Sequence, residues 1–189
     1  MSGQMVNFTF TVDEADYAQI MQKLNDLAGD KARVYMARAL NKTATSARVK
    51  LAQKAQQSYT VKTAGFKKDM QIDKASSGNL VAVIHSDGNT LEVKKFHYSA
   101  PKSGVKIDVV RTGLKPITKY GNKAFIGKGS ANNQVYVRLG KPRTPIEKVK
   151  SKSVPYMIGS ENRVWGPMRP QIGSDLQKYM NQQIALLMG

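Results

Sequence analysis

Few residues in this chain have types and spacings that could do chemistry. Asp73, followed by Glu92-Val93-Lys94, gives two acids and a lysine in the order that metal-dependent nucleases use. In those enzymes two carboxylates hold Mg²⁺ and the lysine orients the attacking water. On a strand, Glu92 and Lys94 would share one face. Glu-x-Lys is common by chance among 22 lysines, however, and no βαβ pattern surrounds it, so an exposed ion pair is the plainer expectation. Gly127-Lys128-Gly129 offers two glycines of a phosphate loop but lacks the third and is followed by no helical pattern. It reads as a flexible basic loop. His85 and His97 stand outside any triad or HExxH arrangement, and His97 reads as structural. With no cysteine, disulfides, thiol nucleophiles and cysteine-based zinc sites are excluded. The expectation is a protein with no catalytic residue, no metal and no cofactor.

Charge is the stronger signal. The 189 residues carry 30 Lys+Arg against 13 Asp+Glu, a formal +17. Residues 1–30 hold Asp13, Glu14, Asp16, Asp26 and Asp30 against Lys23, a local −4, and the remainder is +21. Residues 94–152 alone carry 15 basic side chains against Asp108 and Glu147. Such a balance implies a polyanionic partner, whether nucleic acid, an anionic membrane surface or acidic protein. Lysine outnumbers arginine 22 to 8, which favours sequence-blind phosphate contact over the reading of base edges. No run of 18 apolar residues predicts a membrane span, and Met1–Phe10 lacks the basic and apolar regions of a secretory signal.

The elements that must carry these charges follow from periodicity. Val6, Phe8, Phe10 and Val12 alternate with Asn7, Thr9 and Thr11, a half-buried strand. Asp13 opens a helix with Tyr17, Ile20, Met21, Leu24 and Leu27 at helical spacing, stopped by Gly29. Asp30 caps a longer helix over about 31–58, with an apolar stripe of Leu40, Ala44, Ala47, Leu51 and Ala55. Its polar side is basic: Lys31, Arg33, Arg38, Lys42, Arg48, Lys50 and Lys54. A short helical turn over 63–69 and a strand over 70–75 follow. Asn79–His85 reads as a strand, paired through an Asp87-Gly88-Asn89 turn with a strand over 90–98. From about 100 to 160 the chain is loop-rich, with strands at 105–111 and 135–139 around the 125–134 loop. The stretch 155–166 reads as extended or irregular, and Ser174 caps a last helix over about 174–187. The fold class is α+β: one domain with a small, mostly antiparallel sheet packed by two or three helices, with long loop or arm insertions. Trp165, the single tryptophan, sits in a Gly/Pro-rich segment, either as a core plug or as an interface anchor.

Several stretches, taken in order, resemble a known family. Ala37-Arg38-Ala39-Leu40-Asn41-Lys42-Thr43-Ala44 is similar to a helix of the phage minor tail protein Z family. So are Ala124-Phe125-Ile126-Gly127, Val135-Tyr136-Val137-Arg138, Pro142-Arg143-Thr144-Pro145-Ile146 and Ser153-Val154-Pro155. The collinear resemblance covers about residues 30–188. It implies a structural virion protein of a long-tailed phage, not an enzyme. The implied role is tail completion at the head–tail interface, as a ring (a hexamer by analogy) around the DNA channel. The implied neighbours are other copies of the chain, the tail terminator, head-completion or connector proteins and the tape-measure protein, with double-stranded DNA passing through the lumen and no membrane. The implied location is the tail or neck of the virion, with host cytoplasm during assembly.

The candidate DNA-facing or partner-facing residues are Arg38, Lys42, Arg48, Lys50 and Lys54 on the long helix, and Lys115, Lys119, Lys123 and Lys128 in the loop-rich region. The alternative reading of the same charge is a sequence-nonspecific, basic nucleic-acid-binding protein.

Overall fold

The computed structural model describes residues 4–11, 29–62, 66–128 and 132–188. The helix expected over residues 13–28 lies outside the described residues. In chain order the described elements are β1 (Gln4–Thr11), α1 (Gly29–Ser58), β2 (Gln71–Asp73), β3 (Val81–Gly88), β4 (Thr90–Glu92), β5 (His97–Ser99), β6 (Lys106–Asp108) and β7 (Lys115–Pro116). They continue with β8 (Thr118–Lys119), β9 (Asn122–Lys123), β10 (Phe125–Ile126), β11 (Val135–Arg138), β12 (Ile146–Lys148), β13 (Lys150–Ser153), α2 (Val154–Ile158) and α3 (Trp165–Met188). Tight single helical turns cover Phe66–Asp69 and Val93–Lys95. The architecture is α+β with antiparallel strand pairs, as expected, but the strands are divided among several small sheets instead of one.

The first layer is the sheet β1-β3-β2 with α1 and α3. Alternation in β1 sends Phe8 and Phe10 inward and leaves Met5, Asn7, Thr9 and Thr11 exposed. The α1 stripe is buried as its 3.6-residue period requires: Leu40, Ala44, Ala47, Leu51 and Ala55 are all at 0% exposure. Short alanine side chains let neighbouring elements approach closely. Ala32, Met36 and Ala39 form a second small cluster with Met180 of α3. After α1 the chain threads into a second lobe, where Thr60 N–H donates to the Val109 carbonyl at 3.1 Å and Lys62 N–H to the Lys95 carbonyl at 2.6 Å. That lobe has its own core of Val93, Val105, Ala124 and Val135.

Three expectations are corrected. The hairpin through Asp87-Gly88-Asn89 does not form, because both edges of β3 are taken, by β1 (Thr9↔Val83) and by β2 (Asp73↔Val83). The chain instead crosses over, β4 pairing with β13 and β5 with β6. The stretch 155–166 is not irregular throughout: α2 occupies Val154–Ile158, its Ser153 hydroxyl accepting from Tyr156 N–H, with Pro155 in the first turn where its missing N–H costs nothing. The last helix begins at Trp165, nine residues before Ser174. Pro167 falls in its first turn, where helix N–H groups have no partner anyway, and Pro170 removes one ladder bond.

Candidate functional site

The five α1 candidates do not share one face. Arg38 and Lys42 are exposed on the outer side, Arg38 lying 4.9 Å from the Tyr35 ring centroid. Lys42 lines an open groove with Asn41, Ser46, Lys50, Lys74 and Tyr179. Lys50, by contrast, is committed within the fold: its Nζ lies 2.6 Å from Asp175 Oδ2 of α3, and the Ser46 hydroxyl donates to the same oxygen at 2.9 Å. Arg48 and Lys54 are half-buried, and Arg48 Nε is buried with no hydrogen-bond partner among the described residues. Asp175→Ala is expected to lower stability by about 1–2 kcal/mol, since it removes both interhelical bonds and leaves a part-buried ammonium unpaired. Urea unfolding checks this.

Sequence reasoning missed Asn41. Its amide Nδ2 donates to the Ala75 carbonyl at 2.9 Å, and its Oδ1 accepts from Ala75 N–H at 2.8 Å. One side chain thus satisfies both backbone groups of a residue leading from β2 into the β2–β3 connection. Its only visible signal is a polar residue in a motif whose neighbours Ala39, Leu40, Thr43 and Ala44 are all buried. Thr43 folds its hydroxyl back onto the Ala39 carbonyl at 2.9 Å, so it needs no outside partner. The motif is therefore mostly scaffold, with Arg38 and Lys42 projecting from it.

In the second lobe, Lys115, Lys123 and Lys128 are exposed. Lys119 is engaged: its Nζ donates to both oxygens of Glu147 at 2.7 and 2.9 Å, and the Tyr120 hydroxyl donates to the same carboxylate at 3.1 Å. These bonds hold the Glu147 carboxyl below its usual range, the Lys119 bond contributing most, and raise the Lys119 ammonium in turn. Tyr120 and Gly121 form the β8–β9 turn with φ values of 55° and 72°, the left-handed pair of a tight two-residue hairpin. Asn122 anchors the hairpin by donating to the Arg138 and Gly140 carbonyls at 3.1 and 3.2 Å.

The nuclease-like residues are not brought together. Asp73 lies on β2 beside His85, with 3.3 Å between Oδ2 and Nδ1. Glu92 lies on β4, in another sheet, 2.5 Å from Lys148 Nζ. Lys94 sits in a helical turn, so it does not share a strand face with Glu92. The Lys148 hydrogen bond lowers the Glu92 carboxyl from its ordinary value of 4.5. A depressed acid adds stability above its unfolded value and loses it as pH falls through the folded one. Glu92→Gln is expected to flatten this pH dependence below about 4.5 and to change stability by no more than about 0.5 kcal/mol at neutral pH, because the pair is partly exposed. Thermal melts at pH 7 and pH 3.5 check it.

Trp165 packs on Phe8 of β1 at 4.5 Å between ring centroids, and the Arg169 guanidinium lies over the Trp165 ring, 5.4 Å from its centroid. The ring is half-buried, tying the start of α3 to the first sheet.

The stretches that carried the family resemblance thus sit at structural junctions: the α1 core motif, the β10–β11 hairpin, the loop into β12, and the Ser153 cap of α2. Comparison with curated proteins and with solved structures returned no match. The family described as prophage minor tail protein Z (GPZ) matches residues 17–188, nearly the whole chain. The chain therefore belongs to the minor tail protein Z family and is a structural protein of a phage tail, part of the virion.

Proposed function

We propose that the chain completes the tail at the head–tail interface, as a closed sixfold ring around the channel that passes double-stranded DNA. The observation that carries this reading is the partition of charge over a tail protein. The β1-β3-β2 sheet contains no lysine or arginine, whereas α1 and the second lobe expose Arg38, Lys42, Lys115, Lys123 and Lys128. A subunit with a basic side and a non-basic side can point its charge at DNA and its neutral side at neighbours. Lysine excess suits a lumen that must hold any sequence without reading it. Lys50 and Lys119 act within the subunit, and Arg48 and Lys54 supply field more than contact. Trp165 stands as the candidate anchor at subunit or partner contacts. The neighbours would be the tail terminator, head-completion or connector proteins and the tape-measure protein.

Electron microscopy of lysates from a phage with this gene disrupted tests the role. Separate heads and tails, or joined particles that fail to deliver DNA, are expected. Normal infectious particles would overturn the reading.

A further inference from the structure

The outer edge of β1 carries an inference beyond the ring itself. In an antiparallel ladder every second residue of an edge strand turns its N–H and C=O away from its partner. β1 runs eight residues, Gln4–Thr11, and its single strand partner among the described residues is β3. No other hydrogen bond among the described residues reaches its backbone. Folded proteins protect such edges with lysines, prolines, bulges or brevity. The other edge strands among the described residues are short: β2, β4, β5 and β12 have three residues each, β13 has four, and β7, β8, β9 and β10 have two. Among the described residues β1 shows none of these protections. Its sequence, QMVNFTFT, holds no charge and no proline, and it pairs with β3 without a register break. Among the described residues that leaves about 27 Å of edge without a strand partner.

The surroundings identify what fits it. The 30 Lys+Arg of the chain are absent from all three strands of this sheet, which instead hold Asp73 and Asp87. For two copies that each carry +17, this is a part of the surface where close approach meets no basic side chain from the sheet. Face alternation constrains the approach further. An added strand must lay its apolar side beside Phe8 and Phe10 and its polar side beside Asn7 and Thr9, since a one-residue slip would reverse both.

We propose that the outer edge of β1 is the subunit contact, taking an added strand from a second copy of this chain. The inference rests on the ring reading above. It makes the ring contact a shared sheet, with main-chain hydrogen bonds giving affinity and the absence of lysine setting the location. A short edge of the neighbour such as β2 or β12 would take up part of β1, and that contact is heterologous and can continue around a ring.

The test places a photoactivatable cross-linking amino acid at Asn7, on the exposed face of β1, in assembled phage particles. A covalent dimer of this chain is expected. A control at exposed Lys178 of α3 is expected to give none. Thr9→Lys, which adds the charge that edge strands normally carry, is expected to remove the self-cross-link and to lower infectious titre by about tenfold or more while the isolated chain melts as before. Capture at Asn7 of only another virion protein, or of nothing, overturns the inference, as does a Thr9→Lys phage with normal cross-linking and titre. These failures are separable from failure of the ring reading: if gene loss separates heads from tails but Asn7 never captures a second copy, the edge assignment alone falls.

Discussion

Leu40→Ala is expected to lower the unfolding free energy by about 3 kcal/mol and the melting temperature by roughly 6–12 °C. Leu40 is at 0% exposure, in the middle of α1, in the cluster that joins Phe8 and Ile84 of the sheet to Ile172 of α3. Its alanine neighbours Ala37, Ala44 and Ala47 cannot swell to fill a void. Two residues away, Lys42→Ala should change stability by less than about 0.5 kcal/mol, because Lys42 is exposed and sits outside the core. Urea unfolding of both variants measures the contrast. Equal effects would mean that α1 does not bury the stripe described here.

The second large effect concerns DNA. In the ring reading one subunit spans only a short arc of the channel, so only part of its exposed basic side chains, such as Arg38 with Lys42, or Lys115 with Lys123 and Lys128, reaches a duplex at once. Each phosphate contact contributes a salt-dependent increment, and non-specific binders that make many contacts reach Kd values of about 10⁻⁴ to 10⁻⁶ M at physiological salt. The isolated chain is therefore expected at the weak end, near 10⁻⁴ M or weaker, with a shallow salt slope. A ring multiplies the contacts, so the same side chains matter most after assembly. Fluorescence anisotropy with a labelled duplex at several salt concentrations measures it. Tight binding by the monomer, near 10⁻⁶ M with a steep slope, would favour a free nucleic-acid-binding protein over a ring subunit.

How much of this was legible in the sequence depends on the range of the interaction. The α1 stripe and the β1 alternation follow from local periodicity, and burial bears both out at Leu40, Leu51, Phe8 and Phe10. Strand partners depend on non-local competition: Asp87-Gly88-Asn89 is good turn chemistry, yet β3 has no edge left for a hairpin. The start of α3 was hidden in the Gly/Pro-rich segment around Trp165, where Pro167 and Pro170 carry no helical signal, while the contact of Trp165 with Phe8, 157 residues apart in sequence, is invisible locally. The candidate charges show the same limit. Composition identifies Lys50 and Lys119 as basic, but only the fold shows that Asp175 and Glu147 occupy them. Asn41 gave no charge or periodicity signal at all, and its use emerges only with Ala75 beside it.

The most direct test of the account is a symmetry-resolved cryo-electron microscopy reconstruction of the intact virion around the upper end of the tail. The account predicts a closed ring of this chain encircling the DNA, with Arg38 and Lys42 or the Lys115, Lys123 and Lys128 surface turned to the lumen. Copies absent from that level, or present there without enclosing the channel, would contradict it.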